Sequence, residues 1–133
     1  MIHSTQPQPG ILRDRRILVV EDEYMIAEEI VEELSNVDAQ ALGPVARVSD
    51  AFHLIETEER IDAALLDVNL GHETIWPVVD LLIARGVPLV LATGYDVGAI
   101  PKAYAHLLRC EKPVTGQNLT RALAQVLVPL VSH

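Results

Sequence analysis

The sequence predicts an α/β protein whose parallel sheet is covered by helices on both faces, and three observations predict it. Short runs of consecutive apolar, often β-branched residues recur along the chain. Such runs suit strands buried on both faces of a parallel sheet. Stretches with helical spacing of apolar positions separate them, so strand and helix alternate five times. That order requires right-handed crossovers and places helices on both sides of the sheet, a three-layer sandwich. The 133 residues suffice for one compact domain, and half of them are apolar.

Residues 1–14 (MIHSTQPQPGILRD) are polar, carry two prolines and a glycine, and are expected to form a flexible tail ahead of a domain over 15–133. Ile17-Leu18-Val19-Val20 is the first strand, cut off by Glu21-Asp22-Glu23. From Tyr24 to Leu34, Met25, Ile26, Ile30, Val31 and Leu34 follow helical spacing, with Glu28, Glu29, Glu32 and Glu33 opposite. Ala39 to Val45 is a weak second strand, and its Gly43-Pro44 assigns it to a sheet edge. Ser49 is the expected N-cap of a helix through Glu58.

Ala63-Ala64-Leu65-Leu66 is the next buried run and stops on Asp67. A loop, 68–73, leads to a helix from about Ile75 to Ala84, with Pro77 in its first turn and Arg85-Gly86 closing it. Trp76 is assigned to packing, and His72 to the loop surface or packing. Val87 to Ala92 is the fourth run and ends on Thr93. After the Gly-rich loop 94–98 come a short helix near Pro101 to Ala105 and a brief strand, Leu107 to Cys110, that runs into Lys112-Pro113. Gln117 to Val128 is the closing amphipathic helix. The single cysteine, Cys110, has no disulfide partner and is expected to be a packing residue.

The polar residues that end these runs converge. Ligands of such sheets bind outside the carboxyl ends of the strands. The strand ends carry Glu21-Asp22, Asp67, Thr93 and Lys112. A strand-ending Thr, a Lys-Pro dipeptide, an acidic helix start and a turn Asp each have an ordinary structural explanation taken singly. None of these explains why all fall at the same sheet edge. Three nearby carboxylates repel one another and call for a counter-charge. An oxygen-ligated Mg2+ supplies it, with Asp22 and Asp67 as direct ligands and Glu21 acting directly or through water. The main-chain carbonyl of Asn69 could complete the set. A carboxylate can also attack phosphorus to give an aspartyl phosphate. Asp67 is the expected nucleophile, with the Lys112 ammonium and the Thr93 hydroxyl placed to meet the phosphoryl oxygens.

At this point the sequence resembles the receiver domain of bacterial two-component response regulators, over about Arg16 to Val128. ILVVEDE, LLDVNL, LATGY and EKP stand in that family's order and close to its spacing. The resemblance implies a flavodoxin-like fold with strand order 2-1-3-4-5. It matches Glu21 and Asp22 to the acidic pair, Asp67 to the phosphoacceptor, Thr93 to the switch hydroxyl and Lys112 to the phosphate-contacting lysine. It further implies a sensor histidine kinase or phosphotransfer protein as phosphodonor, and a commonly cis peptide before Pro113. Two features depart from the common pattern. Arg109 stands where many receivers carry an aromatic residue. Thr93 and Lys112 are only nineteen residues apart, which implies a stunted fourth helix. With LATGYD, this resembles the alphaproteobacterial subgroup with a Phe-Ala-Thr-Gly-Tyr motif, Leu91 replacing the Phe. Tyr95 is then the expected moving residue, and Asn69 and Tyr95 are expected to tune hydrolysis.

Composition narrows the function classes. A net charge of -9 argues against non-specific nucleic-acid binding. No stretch approaches the ~18 apolar residues of a membrane span, and the start lacks a signal peptide's order, so a cytoplasmic protein is expected. After Val128 only five residues remain, too few for a DNA-binding module, so a stand-alone regulator is expected. It would act through an unidentified protein partner or as a phosphate sink, as a monomer or weak dimer. It would not be an enzyme with a turnover substrate. The chief alternative is an unphosphorylated interaction module of the same fold. A Mg2+-dependent phosphohydrolase is disfavoured because no segment is long enough to enclose a substrate.

Overall fold

The computed structural model describes residues 10–94 and 100–127. The elements follow in the order β1 (Arg16–Val20), α1 (Tyr24–Asn36), β2 (Gln40–Val45), α2 (Val48–Thr57), β3 (Ala63–Asp67), α3 (Trp76–Ala84) and β4 (Leu89–Thr93). A single 3-10 turn (Lys102–Tyr104), β5 (Leu108–Glu111) and α4 (Gly116–Val126) complete the chain. The five strands form one sheet in the order β2-β1-β3-β4-β5, all pairs parallel. This is the flavodoxin-like fold.

The apolar runs become strands because both their faces are covered. Every residue of β3 and β4 is buried, as is all of β1 after Arg16. Alternation then sorts them into two cores. Ile17, Val19, Leu65, Val90 and Ala92 pack with Ile30 and Leu34 of α1 and with Leu119 and Leu123 of α4. Leu18, Val20, Leu66 and Leu91 pack with Ile55 of α2 and with Val78 and Leu82 of α3. Strand β2 is an edge, as its Pro44 requires, and its pairing register shifts between Leu18 and Val20. Gly43 sits at that shift with φ +95°, where a Cβ would lie 2.8 Å from the Val45 nitrogen and 3.1 Å from the Val19 carbonyl oxygen. Only glycine fits there. The peptides before Pro44 and Pro113 are both cis. Gly86, φ +71°, takes the left-handed position after α3, as the Arg85-Gly86 signal requires.

Several expectations need correction. The domain boundary drawn between Asp14 and Arg15 is too late. Residues 10–15 form a turn with Arg13 N–H donating to the Gly10 carbonyl and Arg15 N–H to that of Leu12. Leu12 is 2% exposed and belongs to the first core. Two apolar residues among prolines and charges were too few to show periodicity. Ser49 is not an N-cap: α2 begins at Val48, its N-cap Arg47 provides no side-chain bond, and Glu73 Oε1 accepts from Val48 N–H at 3.2 Å instead. The cap comes from a residue 25 positions away, which local pattern cannot reveal. Thr115, conversely, caps α4 by accepting from Asn118 N–H at 3.1 Å. The short helix expected near Pro101 to Ala105 is present as a single 3-10 turn over Lys102–Tyr104.

Candidate functional site

Four strands deliver the polar side chains to one edge of the sheet. Asp67 is the last residue of the central strand β3, flanked by β1 and β4. Glu21 directly follows β1, and its N–H donates to the Val45 carbonyl. Thr93 ends β4 and pairs in register with Glu111 of β5, one step beyond the Asp67–Ala92 pair. Lys112 directly follows β5, and its N–H donates to the Thr93 carbonyl at 2.7 Å. Parallel register thus carries all four to one place. They are also withdrawn from solvent: Glu21, Asp67 and Thr93 are the polar residues buried among the described ones, Asp67 at 2% exposure. Asp22 is exposed at the rim.

The charges within this edge are closely coupled. Lys112 Nζ lies 3.1 Å from both Glu21 Oε1 and Asp67 Oδ2. Those two oxygens are buried, yet neither completes a well-directed hydrogen bond. One ammonium therefore faces two buried acids and satisfies neither fully. Asn69 N–H donates to Asp67 Oδ1 at 2.9 Å, which fixes the plane of the carboxylate. Glu23 N–H donates likewise to Glu21 Oε2 at 3.1 Å. Burial, with the adjoining Asp67 carboxylate, raises the Glu21 pKa from 4.5 to about 7. For Lys112, burial alone would lower the pKa, but contact with Asp67 and the two acidic charges outweigh it and the net shift is upward. The ammonium is held charged and the acid pair lacks positive charge.

That imbalance bears on a metal. Glu21, Asp22 and Asp67 each offer an oxygen, and these lie within 4.8 Å of one another. Two under-satisfied buried oxygens and an all-carboxylate donor set fit a hard divalent cation, which takes oxygen ligands and offsets their repulsion. The three expected carboxylates are thus gathered.

The remaining candidates fall outside this cluster or outside the described residues. Arg109 is exposed on β5, opposite Leu91 in register, beside Asn118 and Arg121 of α4. Tyr95 lies outside the described residues. His72 is exposed on the loop before α3. Cys110 is buried in the first core, and burial raises its thiol pKa, consistent with packing. Trp76 packs, as expected, but with a particular partner: its ring stacks on Tyr104 at 4.5 Å between centroids and 10° between planes. Sequence reasoning missed Tyr104. Its spacing from Trp76 carries no signal, because the two meet only through the crossover.

No protein-family model and no curated protein matches the chain. Solved structures do. SdrG from Sphingomonas melonis Fr1, in solution, shares 38% identity over 86% of this chain and 98% of its own, with a TM-score of 0.77. A solution structure of the BeF3-activated conformation of SdrG from Pseudomonas melonis Fr1 matches at 38% identity, 85% and 96% coverage, and a TM-score of 0.73. A CheY-like response regulator receiver domain from Methylobacillus flagellatus matches at 26% identity, 85% and 98% coverage, and a TM-score of 0.73. Sheet order, site composition and these similarities converge, and the chain belongs to the response regulator receiver domains.

Proposed function

We propose that this receiver is switched by phosphorylation of Asp67, taking the phosphoryl group from a phosphohistidine on a sensor kinase or phosphotransfer protein. The observation that carries this reading is the Asp67 carboxylate itself. It is 2% exposed, oriented by the Asn69 N–H, and faced at 3.1 Å by the Lys112 ammonium. A buried carboxylate held by a donor on one oxygen and a cation on the other is organised to attack phosphorus. In the transfer, a carboxylate oxygen forms the new P–O bond as the P–N bond of the donor breaks. The bonding pair leaves with the imidazole, which takes up a proton.

Each neighbour has a part. Lys112, fixed through its own N–H on the Thr93 carbonyl, meets negative charge on the phosphoryl oxygens. Thr93, at the end of the adjacent strand, offers its hydroxyl to one of those oxygens. Asp22, Glu21 and Asp67 would hold Mg2+, which when bound neutralises developing charge on the transferred group. That the similar SdrG has a BeF3-activated conformation supports an activated state for this chain as well. On this reading the chain catalyses chemistry on its own side chain and turns over no separate substrate. It works in the cytoplasm beside its kinase, through a protein partner or as a phosphate sink. Among the described residues no helix is long and apolar enough to cross a membrane.

The test is intact mass after incubation with Mg2+ and acetyl phosphate, or with a phosphorylated histidine kinase where the small donor is ignored. One labile phosphate adduct is expected, absent in Asp67→Ala and in EDTA. Failure with both donors would leave an unphosphorylated interaction module as the better reading.

A further inference from the structure

Asp67 and Thr93 each end a strand, and the chain that leaves each of them meets the other again away from the site. Beyond Asp67 the chain is pinned by Val68 N–H on the Ala92 carbonyl, by buried Leu70 and by a bridge between Leu70 and Glu73. It then enters α3 at Trp76. Beyond Thr93 the next described element is the 3-10 turn that holds Tyr104. Leu107 N–H donates to the Tyr104 carbonyl and hands the chain to β5, which ends beside Lys112. Tyr104 therefore lies between the switch hydroxyl and the phosphate lysine, and Trp76 lies just downstream of the phosphoacceptor.

The two are joined at two points. The rings stack at 4.5 Å, nearly parallel, and Tyr104 Oη donates to Asp80 Oδ1 at 2.8 Å. Trp76 and Asp80 are one helical turn apart, so a single face of α3 takes both the ring and the hydroxyl of Tyr104. Ile100, Tyr104 and Leu107 are only partly buried against the second core. The clamp is thus how the described part of this crossover, a single 3-10 turn, is fastened to α3.

We infer that the Trp76–Tyr104–Asp80 clamp is the element through which the state of Asp67 is felt at β5, closed in the unphosphorylated protein and rearranged on phosphorylation. This rests on the phosphoacceptor reading of Asp67. A phosphoryl group drawing on Thr93 and Lys112 displaces the chain that carries Tyr104 from both ends, while Trp76 and Asp80 stay with α3. A contact that differs between two states biases the equilibrium between them, so loosening the clamp favours the phosphorylation-competent state.

Trp76 is the only tryptophan, so its emission reports the clamp directly. The experiment follows intact mass and Trp76 emission together during phosphorylation and its decay, in the wild type, Tyr104→Phe and Tyr104→Leu. In the wild type, emission is expected to change with the half-time of the adduct and to return as the adduct is lost. Tyr104→Phe keeps the ring, loses the hydroxyl bond and should change less. Tyr104→Leu should start with the emission already displaced, take up phosphate severalfold faster and show little further change. An adduct without an emission change overturns the clamp alone. The same change in wild type and Tyr104→Leu overturns it too, because Trp76 would then sense something else. Absence of any adduct overturns the phosphoacceptor reading, and with it the clamp's role.

Discussion

At the scale of single residues, the site is an electrostatic compromise with too little positive charge. Glu21 Oε1 and Asp67 Oδ2 are both buried, and both lean on the one ammonium of Lys112 at 3.1 Å. Replacing one acid by its neutral amide removes repulsion that folding otherwise has to overcome. Asp67→Asn is therefore expected to raise the thermal midpoint in EDTA by roughly 3–6 °C, what about 1 kcal/mol gives a domain of this size. It should also blunt the further rise on adding Mg2+ and abolish phosphate uptake. A lower midpoint in EDTA would mean that the Asn69 and Lys112 contacts outweigh the repulsion. The positions of this cluster were legible in the sequence because parallel strands all end at one edge, so a polar residue after each apolar run has nowhere else to go. That the Asn69 N–H would bond Asp67 Oδ1 was not legible. That depends on a loop path set by Leu70 packing and by the Leu70–Glu73 bridge. The Lys112 contact with both acids, rather than one, equally depends on the packed register of β5.

At the scale of elements, two small features hold the framework that aims these side chains. Gly43 lets β2 shift register beside β1 just before Val45, whose carbonyl takes the Glu21 N–H. Gly43→Ala would place a methyl at φ +95° against the Val45 nitrogen and the Val19 carbonyl. A loss of about 1–3 kcal/mol is expected in denaturant unfolding, the usual cost of such a backbone position for a residue with a Cβ. Leu12 is the second feature. It closes the first core from outside the sheet, and Leu12→Ala should cost about 2–5 kcal/mol. A loss near zero would return Leu12 to the tail in which the sequence alone placed it. The contrast explains what the sequence could and could not say about elements. Buried strands announce themselves, because burial on two faces demands an uninterrupted apolar run. A lone leucine in a polar segment, or a helix capped by Glu73 from a distant loop, leaves no periodic trace. The fourth crossover was legible as short from the spacing of Thr93 and Lys112. The stack of Tyr104 on Trp76 was not, because no spacing rule joins the two.

At the scale of the whole molecule, proton, cation and fold are linked through Glu21. Burial first, and the neighbouring Asp67 second, raise its pKa from 4.5 to about 7 in the folded protein. Between those values the folded protein, without a cation, holds a proton that the unfolded chain has released. Stability then falls as pH rises through this window and levels off above it. A divalent cation on Glu21, Asp22 and Asp67 competes with that proton and stabilises the fold in proportion to its occupancy. The gap between thermal midpoints with Mg2+ and with EDTA should therefore widen from about pH 5.5 to about pH 8. The general repulsion of a chain carrying -9 also responds to salt. The comparison is therefore made against monovalent salt of equal ionic strength, which screens that repulsion without occupying the carboxylates. Glu21→Gln removes the titrating group but leaves the global charge almost unchanged, so it should flatten the slope between the two pH values. A gap that is the same at both, or a slope that survives Glu21→Gln, would assign the cation's effect to the surface charge of the molecule instead of its buried acids.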